Sequence, residues 1–226
     1  MNAQNEKGSH VFFLVIAGNI GVGKTTLSEL IGQKLGWKVY QEPVKENPYL
    51  AKFYKDMTRW SFHSQIFFLT QRFKSNLQID KMNVPIIQDR SIYEDSEVFV
   101  NNLFKSNLIS IDEYETYREL YTSMIEALKP PALTLYLRAS PWTLLSRIRK
   151  RWRDVERDID KEYLFQLNLA YEKWIGGWQK QHKVLTIETD GRDFVQDLQW
   201  RKEIISVVNN EYEKSVSISS NIKIHP

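Results

Sequence analysis

A glycine-rich stretch near the start of the chain has the residue types that bind phosphate. The pattern G-x-x-x-x-G-K-[ST] is met over residues 18–25, between the apolar run 11–17 and a segment with leucine and isoleucine at helical spacing. In this pattern backbone N–H groups surround an anion, the lysine reaches the outer phosphates and the hydroxyl can bind Mg²⁺. A helix N-terminus adds its positive dipole end. The predicted phosphate-binding residues are Gly18, Asn19, Ile20, Gly21, Val22, Gly23, Lys24, Thr25 and Thr26.

Other charged residues could supply the remaining parts of a phosphoryl transfer site. Such a site needs a metal anchor, cations for the transferring group, and a group that orients or deprotonates the acceptor. Glu42 and Asp89 each end a predicted strand, and Arg90 follows Asp89. Taken alone, each could be a surface carboxylate or an ordinary ion pair. The phosphate loop in the same chain favours the catalytic interpretation.

Two further groups of residues are weaker signals. One is a series of arginines: Arg147, Arg149, Arg151 and Arg153. A run of charges is more often the solvent-exposed face of a helix than a functional site. The other is a polar and aromatic set in which plain surface or core roles are equally expected: Tyr54, Trp60, Gln65, Arg72 and Asp95.

The composition predicts one globular domain over residues 1–226, with flexible ends at 1–10 and 213–226. Of the 226 residues 42% are hydrophobic and 26% charged, and the net charge of +3 is too small to argue for nucleic-acid binding. The chain has no cysteine and its four histidines are far apart, so a structural metal is not expected. We find no stretch typical of a membrane span or signal peptide, which predicts a cytoplasmic protein without membrane partners.

Strand and helix patterns alternate along the chain. Predicted strands cover 11–17, 37–42, 84–89, 132–137 and 184–188, and the main predicted helices cover 60–77, 92–102, 111–128, 163–178 and 194–210. Alternation of this kind predicts an α/β fold with a five-stranded parallel sheet flanked by helices.

With these motifs in place, the sequence resembles the deoxyribonucleoside kinases, and most closely their bacterial deoxyadenosine kinase branch. The resemblance rests on residues 18–25, Glu42-Pro43-Val44, residues 59–62 with Gln65, Asp89-Arg90-Ser91, and the segment 147–153. It implies a P-loop kinase fold with an arginine-rich lid over about 147–160, and Mg²⁺ with ATP as the phosphate donor. It also implies a homodimer packed through helices, for which the segments 60–77 and 111–128 are candidates.

The resemblance also implies roles for individual residues. Glu42 would be the general base for a 5′-hydroxyl, Arg90 would lie beside it, and Asp89 would support Mg²⁺ together with Thr25. The implied lid residues that contact donor phosphates are Arg147, Arg151 and Arg153. The implied acceptor contacts are Tyr54, Gln65, Arg72, Asp95, Phe99 and Glu156, while Asp193 and Phe194 would lie against the donor base.

The sequence departs from the family pattern at four positions. Asn47 and Ser64 stand where the animal enzymes carry tryptophan and phenylalanine, which predicts a larger pocket and favours purines. Trp152 and Val155 replace a common glycine and a common acidic residue in the lid.

These observations predict transfer of the γ-phosphate of ATP to a deoxyribonucleoside, with deoxyadenosine favoured and deoxycytidine or deoxyguanosine as further candidates. A thymidylate-type monophosphate kinase and a non-catalytic P-loop nucleotide-binding module are the alternatives. Nucleic-acid binding through 147–157 is disfavoured, because Asp154 and Glu156 lie within that segment.

Overall fold

A five-stranded parallel sheet forms the centre of the protein. The computed structural model describes residues 11–44, 46–151 and 159–221, of which the last three are described by backbone alone. The strand order is β2-β3-β1-β4-β5, and neighbouring strands are parallel throughout. The strands are β1 (Phe13–Gly18), β2 (Lys38–Tyr40), β3 (Ile86–Asp89), β4 (Leu133–Arg138) and β5 (Val184–Glu188).

Helices cover the sheet. They are α1 (Lys24–Leu35), α2 (Leu50–Lys55), α3 (Met57–Ile79), α4 (Ile92–Glu94), α5 (Asn101–Lys105), α6 (Ile111–Ile125), α7 (Pro141–Arg151), α8 (Lys161–Trp178) and α9 (Leu198–Asn221), and a π-helical segment (Asp95–Val100) joins α4 to α5. Local sequence sets several boundaries: Gly36 ends α1 with a positive φ of 71°, and Ser110 begins α6 with a capping box.

The sheet register brings the ends of several strands together. Every residue of β1 is buried, as expected of a central strand covered on both faces. Ile16 of β1 lies beside Asp89, and Gly18 lies beside Leu137 of β4. Because carboxyl ends of parallel strands meet at one edge of a sheet, the phosphate loop and Asp89 lie at the same edge.

The predicted sheet of five parallel strands is confirmed, but two helix predictions were wrong in detail. Residues 92–102 are interrupted by the π-helical segment. The last helix begins at Leu198 rather than 194 and continues to Asn221, so the part of the predicted flexible end from 213 to 221 is helical. Tyr212 packs its ring against Phe12 and Trp37, with centroids 5.4 and 5.2 Å away, which holds this helix on the sheet beyond the predicted end.

Parts of the predicted lid and ends lie outside the described residues. These include Arg153 and Glu156, the two departures Trp152 and Val155, and residues 1–10. No helix in the described part of the chain is long and apolar enough to cross a membrane.

Candidate active site

A cavity of about 360 Å³ opens where the phosphate loop meets the ends of the neighbouring strands. Most of the predicted site residues line it: Ile20, Gly21, Val22, Gly23, Lys24, Thr25, Thr26, Glu42, Tyr54, Gln65, Arg90, Asp95, Phe99, Arg147, Arg151, Asp193 and Phe194. Gly18, Asn19, Arg72 and Asp89 lie behind this lining, where they contact lining residues. The predicted donor and acceptor residues are therefore brought together around one space.

The phosphate loop needs glycine at two close approaches. Gly18 has a φ of 143°, and a Cβ there would lie 2.6 Å from the carbonyl oxygen of Leu137. Gly23 has a φ of 106°, and a Cβ there would lie 2.9 Å from Cζ of Phe194. Both values are shorter than a carbon contact allows, so a side chain would displace the loop or the ring that borders the cavity.

Lys24 is folded back onto the loop backbone. Its Nζ donates hydrogen bonds to the carbonyl oxygens of Gly18 at 2.8 Å and Asn19 at 3.1 Å. Burial, followed by the nearby positive charge of Arg90, lowers the pKa of Lys24 to about 8. An anionic phosphate in the loop would favour the protonated ammonium group again.

Thr25 and Asp89 form a pair that fits a hard divalent cation. The Thr25 hydroxyl donates to Oδ2 of Asp89 at 2.5 Å, while Oδ1 of Asp89 is buried without a hydrogen-bond partner among the described residues. Burial raises the pKa of Asp89. No cluster of three or more His, Cys, Asp or Glu side chains in the described part could hold a metal. An ion here would therefore take its other ligands from phosphate oxygens and water, as Mg²⁺ commonly does.

Two arginines hold the carboxylate of Glu42. Arg72 donates from Nη2 to Oε1 of Glu42 at 2.9 Å, and Nε of Arg90 lies 2.7 Å from the same oxygen. Arg72 also donates to Oδ2 of Asp95 at 2.7 Å and to the carbonyl oxygen of Asp89 at 3.0 Å. The Glu42 side chain is 18% exposed, so it is fixed in position at the wall of the cavity.

Arg90 adopts an unusual backbone conformation at the end of β3. Its φ is 67°, its guanidinium group lies 4.2 Å from the ring centroid of Phe99, and Nη1 donates to the hydroxyl of Tyr171 at 2.9 Å. Burial opposes the charge of Arg90, but Glu42 and the other negative groups outweigh it and raise its pKa well above the ordinary value. Phe99, expected to stack on a base, thus also packs against this arginine.

The polar groups predicted to contact the acceptor include two that line the cavity, Gln65 and Tyr54. Gln65 is buried and lines the cavity, and Tyr54 lies nearby with a pKa raised by burial. Asn47, expected to border the pocket, instead donates from Nδ2 to the Ser64 hydroxyl at 3.1 Å and is not among the lining residues. Ser64 does line it, so Asn47 supports the pocket wall from behind.

Arg147 lines the cavity and also donates hydrogen bonds to the backbone. Its guanidinium group donates to the carbonyl oxygens of Val22 at 3.2 Å, Thr189 at 2.5 Å and Arg192 at 3.0 Å. Burial lowers its pKa. Arg147 therefore connects the phosphate loop to the loop after β5, while Arg151 lines the cavity one helical turn further on.

The sequence profile of the deoxynucleoside kinases matches residues 14–213 of the chain. The chain belongs to the deoxynucleoside kinase family. It is similar to the deoxyadenosine/deoxycytidine kinase of Bacillus subtilis (strain 168), with 35% identity over 207 residues that cover 89% of this chain and 95% of the relative. It is also similar to the deoxyguanosine kinase of the same organism, with 38% identity over 190 residues that cover 81% and 89%.

The fold agrees with a solved structure from the same family. A deoxyadenosine kinase from M. mycoides, determined with dCMP and dCDP bound, superposes with a TM-score of 0.77 at 32% identity, covering 89% of this chain and 99% of that one. The predicted family, the P-loop kinase fold and the ATP-dependent phosphotransferase activity are thereby confirmed.

The sequence analysis missed several residues that contribute to the site of this deoxynucleoside kinase. Lys150 and Arg192 line the cavity, and Glu94 and Tyr171 lie behind Arg90. The S-x-x-E spacing of Ser91 and Glu94 was a visible signal, because it predicts a capping box. Tyr171 had no such signal, since its partners are distant in sequence.

Arg72→Lys should lower kcat/KM for the acceptor on the order of a hundredfold. A single ammonium group cannot keep the bonds to Asp95, Glu42 and the Asp89 carbonyl together, and small misplacements in an active site carry costs of that size. Steady-state kinetics with a saturating donor measures the effect.

Arg138→Lys is the matched control. Arg138 also pairs with two carboxylates, Glu172 and Glu188, but it is exposed and outside the cavity lining. Its replacement should change kcat/KM by less than about twofold, as expected for a surface ion pair. Equal losses in the two variants would contradict a positioning role for Arg72.

Proposed function

We propose that this deoxynucleoside kinase prefers deoxyadenosine as the acceptor and moves the γ-phosphate of ATP to its 5′-hydroxyl, using Glu42 as the general base. The observation that carries the proposal is the Glu42 carboxylate, held by Arg72 and Arg90 in the same cavity as the phosphate loop. A fixed carboxylate beside the place where the phosphate arrives can accept a hydroxyl proton without rearrangement.

The polar groups of the acceptor end support a purine with an amino group. The Gln65 amide has an acceptor and two donors, so it can form a paired contact with the adjacent donor and acceptor of adenine. Gln65 is buried in the cavity wall. The names of two relatives, the B. subtilis deoxyadenosine/deoxycytidine kinase and the M. mycoides deoxyadenosine kinase, include this acceptor, and the B. subtilis deoxyguanosine kinase makes deoxyguanosine the next candidate.

In the proposed reaction the 5′-oxygen forms a bond to the γ-phosphorus as the bond to the β-phosphate oxygen breaks. Glu42 accepts the hydroxyl proton and ADP leaves with the broken bond's electron pair. The loop N–H groups and Lys24 bind the donor phosphates, and Arg147, Arg151 and Arg153 add positive charge around the transferring group. Thr25 and Asp89 would hold Mg²⁺, which neutralises phosphate charge when bound.

The charge arrangement argues against a monophosphate acceptor. A thymidylate-type kinase needs cations for the acceptor phosphate, but both arginines nearest the acceptor end are paired with carboxylates. The homodimer, the cytoplasmic location and the single domain with a lid stay predictions from the sequence.

A coupled ADP-release assay with MgATP and single acceptors tests the substrate preference. We expect the highest kcat/KM with deoxyadenosine, lower values with deoxyguanosine and deoxycytidine, and background rates with thymidine and dTMP. A higher kcat/KM with another nucleoside would contradict the role given to Gln65, and turnover with dTMP alone would support the monophosphate kinase instead.

Glu42→Gln should lower kcat about a hundredfold or more, because an amide has a shape similar to that of a carboxylate but cannot accept the hydroxyl proton. Rapid-quench measurement of the chemical step is the readout, with circular dichroism to verify folding. Glu29→Gln is the control, since Glu29 is an exposed carboxylate on α1 that accepts a hydrogen bond from Gln41. Near-normal turnover of folded Glu42→Gln would remove the base assignment.

Asp89→Asn should raise the Mg²⁺ concentration for half-maximal activity about tenfold or more, because a neutral amide binds a hard cation less strongly than a carboxylate. Titration of Mg²⁺ at constant ATP measures this. Asp80→Asn, at an exposed position after α3, should leave the titration unchanged. An unaltered Mg²⁺ dependence in Asp89→Asn would exclude Asp89 from metal binding.

A further inference from the structure

A path of hydrogen bonds, completed by the ion pair between Arg90 and Glu42, runs behind the cavity from the phosphate loop to Glu42. We propose that Glu94 and Tyr171 are positioning residues, which fix the phosphate loop and Arg90 relative to each other so that donor phosphate and general base are aligned. This inference rests on the proposed role of Glu42 and extends it to two residues outside the cavity lining.

Glu94 is fully buried and receives four hydrogen bonds. Its Oε2 accepts from the backbone N–H of Gly18 at 3.1 Å and from the Tyr171 hydroxyl at 2.9 Å. Its Oε1 accepts from the backbone N–H of Ser91 at 2.8 Å and from the Ser91 hydroxyl at 3.2 Å. One carboxylate thus joins the end of β1, the turn after β3 and helix α8.

The direction of each bond in the path follows from chemistry. Burial raises the pKa of Glu94, but the backbone N–H groups of Gly18 and Ser91 each donate to one of its oxygens and favour the ionised carboxylate. An ionised carboxylate only accepts, so the Tyr171 hydroxyl donates its single proton to Glu94. The tyrosine oxygen is then an acceptor for Nη1 of Arg90, at 2.9 Å. Burial and nearby carboxylates raise the pKa of Tyr171 well above the ordinary value, so the hydroxyl keeps its proton.

The path connects the two groups that the reaction must align. At one end, the peptide of Gly18 is held on its N–H by Glu94 and on its carbonyl oxygen by Lys24. At the other end, Arg90 is held by Tyr171 on Nη1 and by Glu42 at Nε. Without the Tyr171 hydroxyl, the guanidinium group would still contact Glu42 and Phe99 in the described part of the chain, but it would lose its bond at Nη1 and could tilt together with Glu42.

The surroundings of Tyr171 favour a specific role for its hydroxyl. The ring is completely buried between Phe99, Tyr136 and Trp174, with centroids 6.2, 6.0 and 6.3 Å away. Phenylalanine would keep these ring contacts. Tyr171→Phe therefore removes the link in the path while leaving the packing in place.

Tyr171→Phe should lower kcat about tenfold, with KM for deoxyadenosine and MgATP each within about twofold, because misalignment affects the transition state more than ground-state binding. Tyr136→Phe is the matched control. The Tyr136 hydroxyl also donates to a glutamate, Glu172 of α8, at 3.0 Å, but this glutamate is not part of the path from Gly18 to Glu42. Its kcat should change less than about twofold. Equal kcat values for the two variants would overturn the proposal.

Glu94→Gln tests the same path from its other end. Its amide nitrogen would oppose one of the N–H donors, at Gly18 or Ser91, so we expect a loss of kcat at least as large and, in addition, weaker ATP binding by calorimetry. If the path acts as a unit, adding Tyr171→Phe to Glu94→Gln should cause little further loss. Independent, multiplying losses would overturn the proposal.

The outcomes separate this proposal from the general-base assignment. Near-normal turnover of Glu42→Gln would refute the base role whatever Tyr171→Phe does. If Tyr171 acts through Arg90 on Glu42, Tyr171→Phe should have little effect in a Glu42→Gln background. A full tenfold loss of kcat in that background would refute the path.

Should Glu94→Gln fail to fold, the comparison of kcat between Tyr171→Phe and Tyr136→Phe still tests the proposal.

Discussion

The shared carboxylate oxygen of Glu42 is the interaction on which the rest of the site depends. Two buried guanidinium groups, of Arg72 and Arg90, meet at this one atom. Buried charges must be paired and hydrogen-bonded, and removing one partner of such a pair typically costs about 3–5 kcal/mol. Asp95 supplies the second carboxylate for Arg72, and Tyr171 supplies the second contact for Arg90. The need to pair the buried charges of Arg72 and Arg90 therefore fixes the positions of side chains from α3, the π-helical segment and α8.

The backbone around Arg90 has conformations that a regular fold would avoid. Arg90 has a φ of 67°, which is uncommon for a residue with a side chain, and the next helix becomes π-helical at Asp95. These two features place Arg90 against Glu42 and Asp95 against Arg72. Strained conformations and π-helical turns concentrate at functional sites, where surrounding contacts hold them in place. Here the capping box of Ser91 and Glu94 lies between the two features and contributes such contacts.

Local patterns predicted the sheet and the phosphate loop because their signals are short-range. The run before Gly18 is apolar since β1 is covered on both faces, and the glycines of the loop avoid contacts that a Cβ would make. Glu42 and Asp89 could be placed because each lies at the end of a predicted strand, and parallel strands end at one edge. The contacts of Arg147 could not be foreseen, since its carbonyl partners come from two loops that only the fold brings together. The same holds for Tyr171 and for the helical extension near Tyr212.

The two ends of the cavity differ in how their cations are compensated. Arg72 and Arg90 are bound by carboxylates, whereas the hydrogen bonds described for Lys24 and Arg147 go to backbone carbonyls and the Thr189 hydroxyl. Carbonyl dipoles stabilise a buried cation less than a full negative charge does. Burial and the nearby charge of Arg90 lower the pKa of Lys24 to about 8. Carboxylates lie near both cations, Asp89 near Lys24 and Asp190 and Asp193 near Arg147, but none is among their described hydrogen-bond partners, so a bound polyphosphate could contact both directly. The cations Arg72 and Arg90 already have their carboxylates, so a neutral group fits beside them better than a phosphate.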